Sequence, residues 1–200
     1  MSIRTGLTCL ILGLALLTPG AAFAHVGHGD SFGLMAGFTH PTGGYDHVLA
    51  MVAVGMLAAN LGGRALWATP LTFVLAMGLG GALGIAGATA PFVETGIALS
   101  VIVFGLAVAL QVKLPTILAI ALAAVFAIFH GHAHGGEMPA DAQGAAYAAG
   151  FMIATAMLHV VGIAIGLGVA KMSELRSARA LQVSGAGIAI AGVAILGGAL

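Results

Sequence analysis

The chain runs through long apolar stretches with almost no charge to break them, and that excludes most folds before any motif is considered. Candidate segments are 46–61, 66–88, 92–112, 115–129, 145–170 and 180–200. A bilayer needs about 20 apolar residues per helix, and most of these segments meet or approach that. Only 6% of the residues are charged, against 60% hydrophobic. A soluble domain carries roughly a quarter charged residues, so this chain could not cover a water-facing surface. The expected fold class is an all-α membrane protein with six transmembrane helices. The first helix is expected to be interrupted near Pro41–Gly44, because Phe32–Thr39 forms an apolar run just ahead of that break. Backbone freed at such a break is tolerated only where protein or a wet cavity satisfies it.

The first 24 residues read as a separate unit. Arg4 provides a positive start, Leu7–Leu17 an apolar stretch, and Ala22-Phe23-Ala24 a small-x-small cleavage signature. The organisation expected is therefore a signal peptide over 1–24 and a six-helix transmembrane domain over 25–200. Cys9 lies within the leader and lacks a lipobox. Loop charge sets the orientation. With the mature N-terminus outside, the inner loops hold Arg64, Lys113, Lys171, Arg176 and Arg179, and the outer segments hold no Lys or Arg. That is the positive-inside asymmetry, and it predicts a multi-pass membrane protein with its mature N-terminus on the outer side.

Eight histidines stand out against this background, confined to 25–28, 40–47, 130–134 and 159. Ionisable side chains inside a membrane are costly and usually functional. The first knot is His40-Pro-Thr-Gly-Gly-Tyr-Asp46-His47 and the second is Phe129-His130-Gly-His132-Ala-His134-Gly-Gly-Glu137. By the orientation above, both face the outer side. Asp46 also has a plain structural reading, as a carboxylate at a helix N-terminus. In the second knot, His130, His134 and Glu137 share a face if the helix continues. Gly131, Gly135 and Gly136 predict instead that it soon frays into a loop. An extended stretch there sets His130, His132 and His134 on one side, with His132 either a metal candidate or a plain loop residue. His25 and His28 form a third candidate, conditional on cleavage at Ala24. His159 shares a helix face with Thr155, Gly162 and Gly166, so it is expected to point into the bundle. Gly80-x-x-x-Gly84 and Gly162-x-x-x-Gly166 predict close helix contacts.

Imidazole donors suit Zn, Cu, Fe and Ni. The mature chain offers no thiolate, which argues against copper(I) or iron–sulfur chemistry and leaves nickel, cobalt or zinc. Balanced charge excludes a nucleic-acid partner, and no phosphate-cradling glycine loop is present.

The stretch His40–Gly55, taken together with Phe129–Glu137, resembles the HupE/UreJ family of bacterial membrane proteins, and the similarity runs over essentially the whole chain. The resemblance implies a secondary permease that takes up Ni²⁺, or in some relatives Co²⁺, and supplies hydrogenase or urease maturation. It also implies that His40, Asp46, His47, His130, His134 and Glu137 match the family's motif positions. No tightly bound cofactor is expected, the metal being the transported substrate and the lipid bilayer the surroundings. A homo-oligomer is compatible with the sequence. Two other readings stay open at this level: a membrane-embedded zinc enzyme using His and Asp ligands, and a non-transporting metallochaperone or accessory protein.

Overall fold

Pro41 and the paired glycines behind it set the first event in the fold. The computed structural model describes residues 30–138 and 144–200. Helix α1 (Asp30–Thr39) runs into a single 3-10 turn, His40–Thr42, in which Pro41 is buried. Gly44 then adopts an extended conformation and caps α2 (Tyr45–Leu61). The two halves meet at 80°. The break expected near Pro41–Gly44 is therefore present, and it places His40 on one side and His47 on the other.

Five helices follow: α3 (Ala65–Ile85), α4 (Val93–Ala109), α5 (Thr116–Gly136), α6 (Gly144–Ala170) and α7 (Glu174–Leu196). No strand occurs among the described residues. By length and composition, α3, α5, α6 and α7 can cross a membrane, and α1 with α2 makes a fifth span if the bent pair is counted as one. The expectation of six spans, the first interrupted, thus meets four to five, because α4 has only 17 residues. Its ends explain the length: Phe92 before it and Gln111 after it both hold left-handed backbone, φ 60° and 50°, which stops helix propagation.

Helix α2 is the central element. His47, Ala50, Met51, Ala53, Val54, Met56, Leu57 and Ala58 are all buried, and α2 packs on α3, α4 and α6. The outer helices turn large apolar side chains away from the interior, including Leu75, Leu79, Val160, Val183 and Ile190. An apolar exterior around a core holding histidine, threonine and serine is the arrangement a bilayer demands.

Glycine sets the helix spacing. A Cβ on Gly80 or Gly84 would strike the carbonyl oxygens of Ile128 or His132 on α5. Gly131 and Gly135 of α5 approach the carbonyls of Met77 and Gly81 just as closely. On the other side of the core, Gly162 meets the Val52 carbonyl and Gly166 meets the Ala59 side chain. Both predicted glycine pairs therefore sit at helix contacts, where packing rather than hydrophobicity drives association in lipid.

The same contacts correct one expectation. Helix α5 does not fray at Gly131; it continues to Gly136. Glycine there serves close backbone approach, and the packing gained against α3 outweighs its weak helix propensity. His132 is accordingly helical rather than a loop residue.

Connections mark the two ends of the bundle. Lys113, after α4, donates to the backbone carbonyl of Asn60 (2.7 Å) and to its Oδ1 (3.0 Å) in the last turn of α2. The α2–α3 and α4–α5 loops therefore share one end, where Arg64 also lies. His132 reaches the Ala88 carbonyl (2.6 Å) at the opposite end, the end that holds the break and the close of α5. The expected leader over 1–24 lies outside the described residues, as do His25 and His28 after it.

Candidate metal centre

Continuity of α5 determines the site. With the helix intact through Gly136, His130 and His134 fall one turn apart on the face turned toward α2, and Glu137 follows at the helix end. The 80° break brings His40 and His47 to the same place from the other direction. Nitrogen atoms of His47, His130 and His134 lie within 4.8 Å of one another, as do ligand atoms of His40, His134 and Glu137. His134 belongs to both groups.

Hydrogen bonds fix which nitrogen each ring presents. The Ser100 hydroxyl donates to the Ile97 carbonyl (2.6 Å), so its oxygen accepts from His130 Nε2–H at 2.8 Å. The Thr155 hydroxyl donates to the Met77 sulfur (3.7 Å), so its oxygen accepts from His47 Nε2–H at 3.1 Å. The Glu137 carboxylate, an acceptor only, takes His134 Nδ1–H at 3.1 Å. Each remaining nitrogen then carries a lone pair. Those three atoms, His47 Nδ1, His130 Nδ1 and His134 Nε2, are buried and have no hydrogen-bond partner. Unsatisfied buried nitrogens are rare and call for an explanation. Three in one cluster, each with its other nitrogen oriented by an oxygen, is the pattern of metal-ready histidines.

The second group lies further out. His40 Nε2 is 3.2 Å from Glu137 Oε2 and 3.1 Å from His134 Nδ1, a nearly equilateral triangle. A metal held there takes the place of the Nδ1 proton, which moves to Nε2, so His134 serves one group at a time. Adjacent ligands of an octahedral ion with bonds of about 2.1 Å are about 3.0 Å apart. Glu137 is 56% and His40 31% exposed, whereas His47 and His130 are fully buried. The two groups thus form a gradient from open to closed, with His134 between them.

Aromatic rings wall the cluster. Phe151 of α6 lies 4.8 Å from the His134 ring, 5.1 Å from His47 and 6.1 Å from His40, measured between centroids. Tyr147 adds an edge contact to His40 at 5.8 Å. Phe73 of α3 faces His130 at 5.7 Å.

Three of the remaining sequence candidates lie elsewhere. Asp46 is outside both groups: its Oδ1 accepts the His47 backbone N–H at 2.6 Å, and the carboxylate stands in the first turn of α2. It lines a cavity of about 380 Å³ with Glu94, Thr95, Tyr45, Ile195 and Leu196. None of the clustered imidazoles lines that cavity. His132 faces the Ala88 carbonyl, away from the cluster. His159 is buried on α6 against Phe73, at 5.3 Å.

Sequence reasoning missed Ser100, Glu94, Phe73 and Phe151. Ser100 is the one hydroxyl in the apolar run from Gly96 to Ala109, a signal that could have been read. Glu94 is one of only six acidic residues in the chain and stands at a helix start, which made it look like an ordinary N-terminal carboxylate. The two phenylalanines carry no signal that separates them from core packing.

Comparison with known proteins gives the family. The family model described as HupE / UreJ protein matches residues 12–195. Protein HupE of Rhizobium leguminosarum bv. viciae is 48% identical over 189 residues, covering 92% of this chain and 94% of the relative. No solved structure matches. With a family model spanning nearly the whole length and a relative close to half identical, the chain belongs to the HupE/UreJ family.

Proposed function

We propose that this protein is a secondary permease that takes up Ni²⁺, and to a lesser degree Co²⁺, across the bacterial inner membrane. The observation that carries the reading is the set of three buried imidazoles with their tautomers fixed and their lone pairs unspent. His134 supports a route rather than a single resting place, because it is shared by an open group and a closed one.

In this reading the chain crosses the membrane six times after a leader over 1–24 is removed, and α4 is the shortest crossing. The N-terminus is periplasmic, and His25 and His28 gather the ion. His40 and Glu137 replace part of its water shell first. The ion then passes to His47, His130 and His134, with Ser100 and Thr155 holding the rings in place. Asp46 and Glu94 give the neighbouring cavity a negative lining that attracts cations. The nickel serves hydrogenase or urease maturation. No residue is assigned a catalytic step.

Imidazole binds either a proton or a metal with the same lone pair. Protons therefore compete with the metal for these nitrogens, and metal capture weakens in acid. The deciding experiment is metal influx into proteoliposomes, comparing Ni²⁺, Co²⁺ and Zn²⁺, with His47→Ala and Asp46→Ala alongside. Saturable Ni²⁺ entry that His47→Ala abolishes is the expected result. Absence of entry for every ion would defeat the reading.

A second reading has one observation in its favour. Three imidazoles around one point also suit a catalytic zinc with an open fourth position. Zinc retained at one per chain through purification, with no metal influx, would select that enzyme over the permease.

A further inference from the structure

His159 differs from every other buried histidine described above. His47 and His130 each satisfy one nitrogen through a hydroxyl, and His134 does so through a carboxylate. His159 is only 1% exposed, and neither Nδ1 nor Nε2 has a partner. A histidine retained only for packing usually satisfies at least one of its nitrogens, and this one satisfies neither.

Its position relative to the outer cluster is well defined. On α6, Thr155 binds His47, and His159 follows one turn closer to the Arg64 end of the bundle. On α3, Met77 meets Thr155, and Phe73, one turn closer to the Arg64 end, meets His159. Phe73 is fully buried and touches both sides, lying 5.7 Å from the His130 ring and 5.3 Å from the His159 ring. One further turn along the same face of α3 stands Thr69, fully buried, whose Oγ1 also lacks a partner. Beyond the phenylalanine, then, the bundle keeps three more unsatisfied polar atoms. An apolar interior would be cheaper there unless the groups meet water or a cation.

We propose that His159 is a further, inner station for a partly hydrated divalent transition-metal ion, separated from the His47, His130 and His134 triad by the Phe73 ring. This rests on the permease reading. The ion leaves the triad when Phe73 swings aside, exchanges imidazole ligands for His159 and water, and has the Thr69 hydroxyl as its next oxygen contact. One imidazole in place of three makes the inner station the weaker one, which favours release toward the Arg64 end over retention.

The test uses the full chain with His159→Phe, which keeps an aromatic ring against Phe73, and His159→Asn, which keeps polarity. Two readouts are needed: Ni²⁺ influx in proteoliposomes and the visible Co²⁺ ligand-field spectrum of the detergent-solubilised protein. Both variants are expected to keep the wild-type Co²⁺ spectrum, which reports that triad. Both should lose influx by about tenfold or more, in keeping with the cost of disturbing a metal-site residue. Wild-type influx in either variant would overturn the inference and leave the permease reading standing. An altered Co²⁺ spectrum would overturn it too, by placing His159 within the triad's site. Wild-type protein that admits no Ni²⁺ would instead overturn the permease reading beneath it.

Discussion

Glycine pairs flank both halves of the metal centre and do opposite things there. Gly43 and Gly44 follow Pro41 and end a helix, turning the chain by 80° between His40 and His47. Gly131 and Gly135 lie inside a helix and let it continue, because α3 presses its carbonyls against them. At the break, proline has already removed a donor and the glycines only complete the turn. In α5, a neighbouring backbone occupies the space that any side chain would need. What a glycine does in a membrane helix therefore depends on what lies opposite it.

Exchanging substitutions between the two places sharpens this contrast. The largest effect is expected from Gly131→Val, since even its Cβ would overlap the Met77 carbonyl and stand 2.8 Å from the Gly81 nitrogen. Overpacking on rigid backbone costs about 1–3 kcal/mol or more. A melting curve in detergent should show a clear fall in transition temperature or loss of monodisperse protein; an unchanged curve would refute the close approach.

His134→Ala comes next and breaks the link between the two halves. It removes a ligand from both groups at once, so Co²⁺ or Ni²⁺ affinity measured by titration calorimetry should fall by more than about 100-fold. Ser100→Ala is gentler. It leaves every ligand in place but frees the His130 ring to take the other tautomer, and a loss of roughly tenfold in affinity is expected at unchanged stability. The smallest effect belongs to Gly43→Ala. Its new methyl would meet only the His40 carbonyl oxygen, at 3.3 Å, and the backbone there is ordinary right-handed, φ −83°. A change within about 0.5 kcal/mol is expected. If Gly43→Ala proved as harmful as Gly131→Val, the distinction drawn between the two glycine pairs would fail.

The fold class was legible in the sequence because the cost of charge in lipid leaves few alternatives. Apolar runs, the interrupted first segment and the inward-facing His159 could all be read from spacing. The extent of α5 could not. Its fate was decided by Met77 and Gly81, more than forty residues away in the chain, and local propensity carries no record of them. The histidine knots were visible as metal candidates for the same reason they are costly. Their division into an open group and a closed one sharing His134 was not visible, since it depends on the angle at Pro41. Asp46 was read both as a ligand candidate and as a helix-end carboxylate, and its bond to the His47 backbone fits the second reading. Ser100 and Thr155 acquire meaning only once the rings they orient have been placed.

The grip of Lys113 on the last turn of α2 has a mechanical consequence. It holds one end of the central helix through two bonds, while the other end stops at a proline–glycine joint. The helix is thus a lever, held at Asn60 and jointed at Gly44. From Asn60 to His47 the arm is roughly 20 Å at 1.5 Å per residue. A tilt of about 10° carries His47 by roughly 3 Å, more than the length of a metal–nitrogen bond. A small rocking of one helix is therefore enough to assemble the triad or to take it apart.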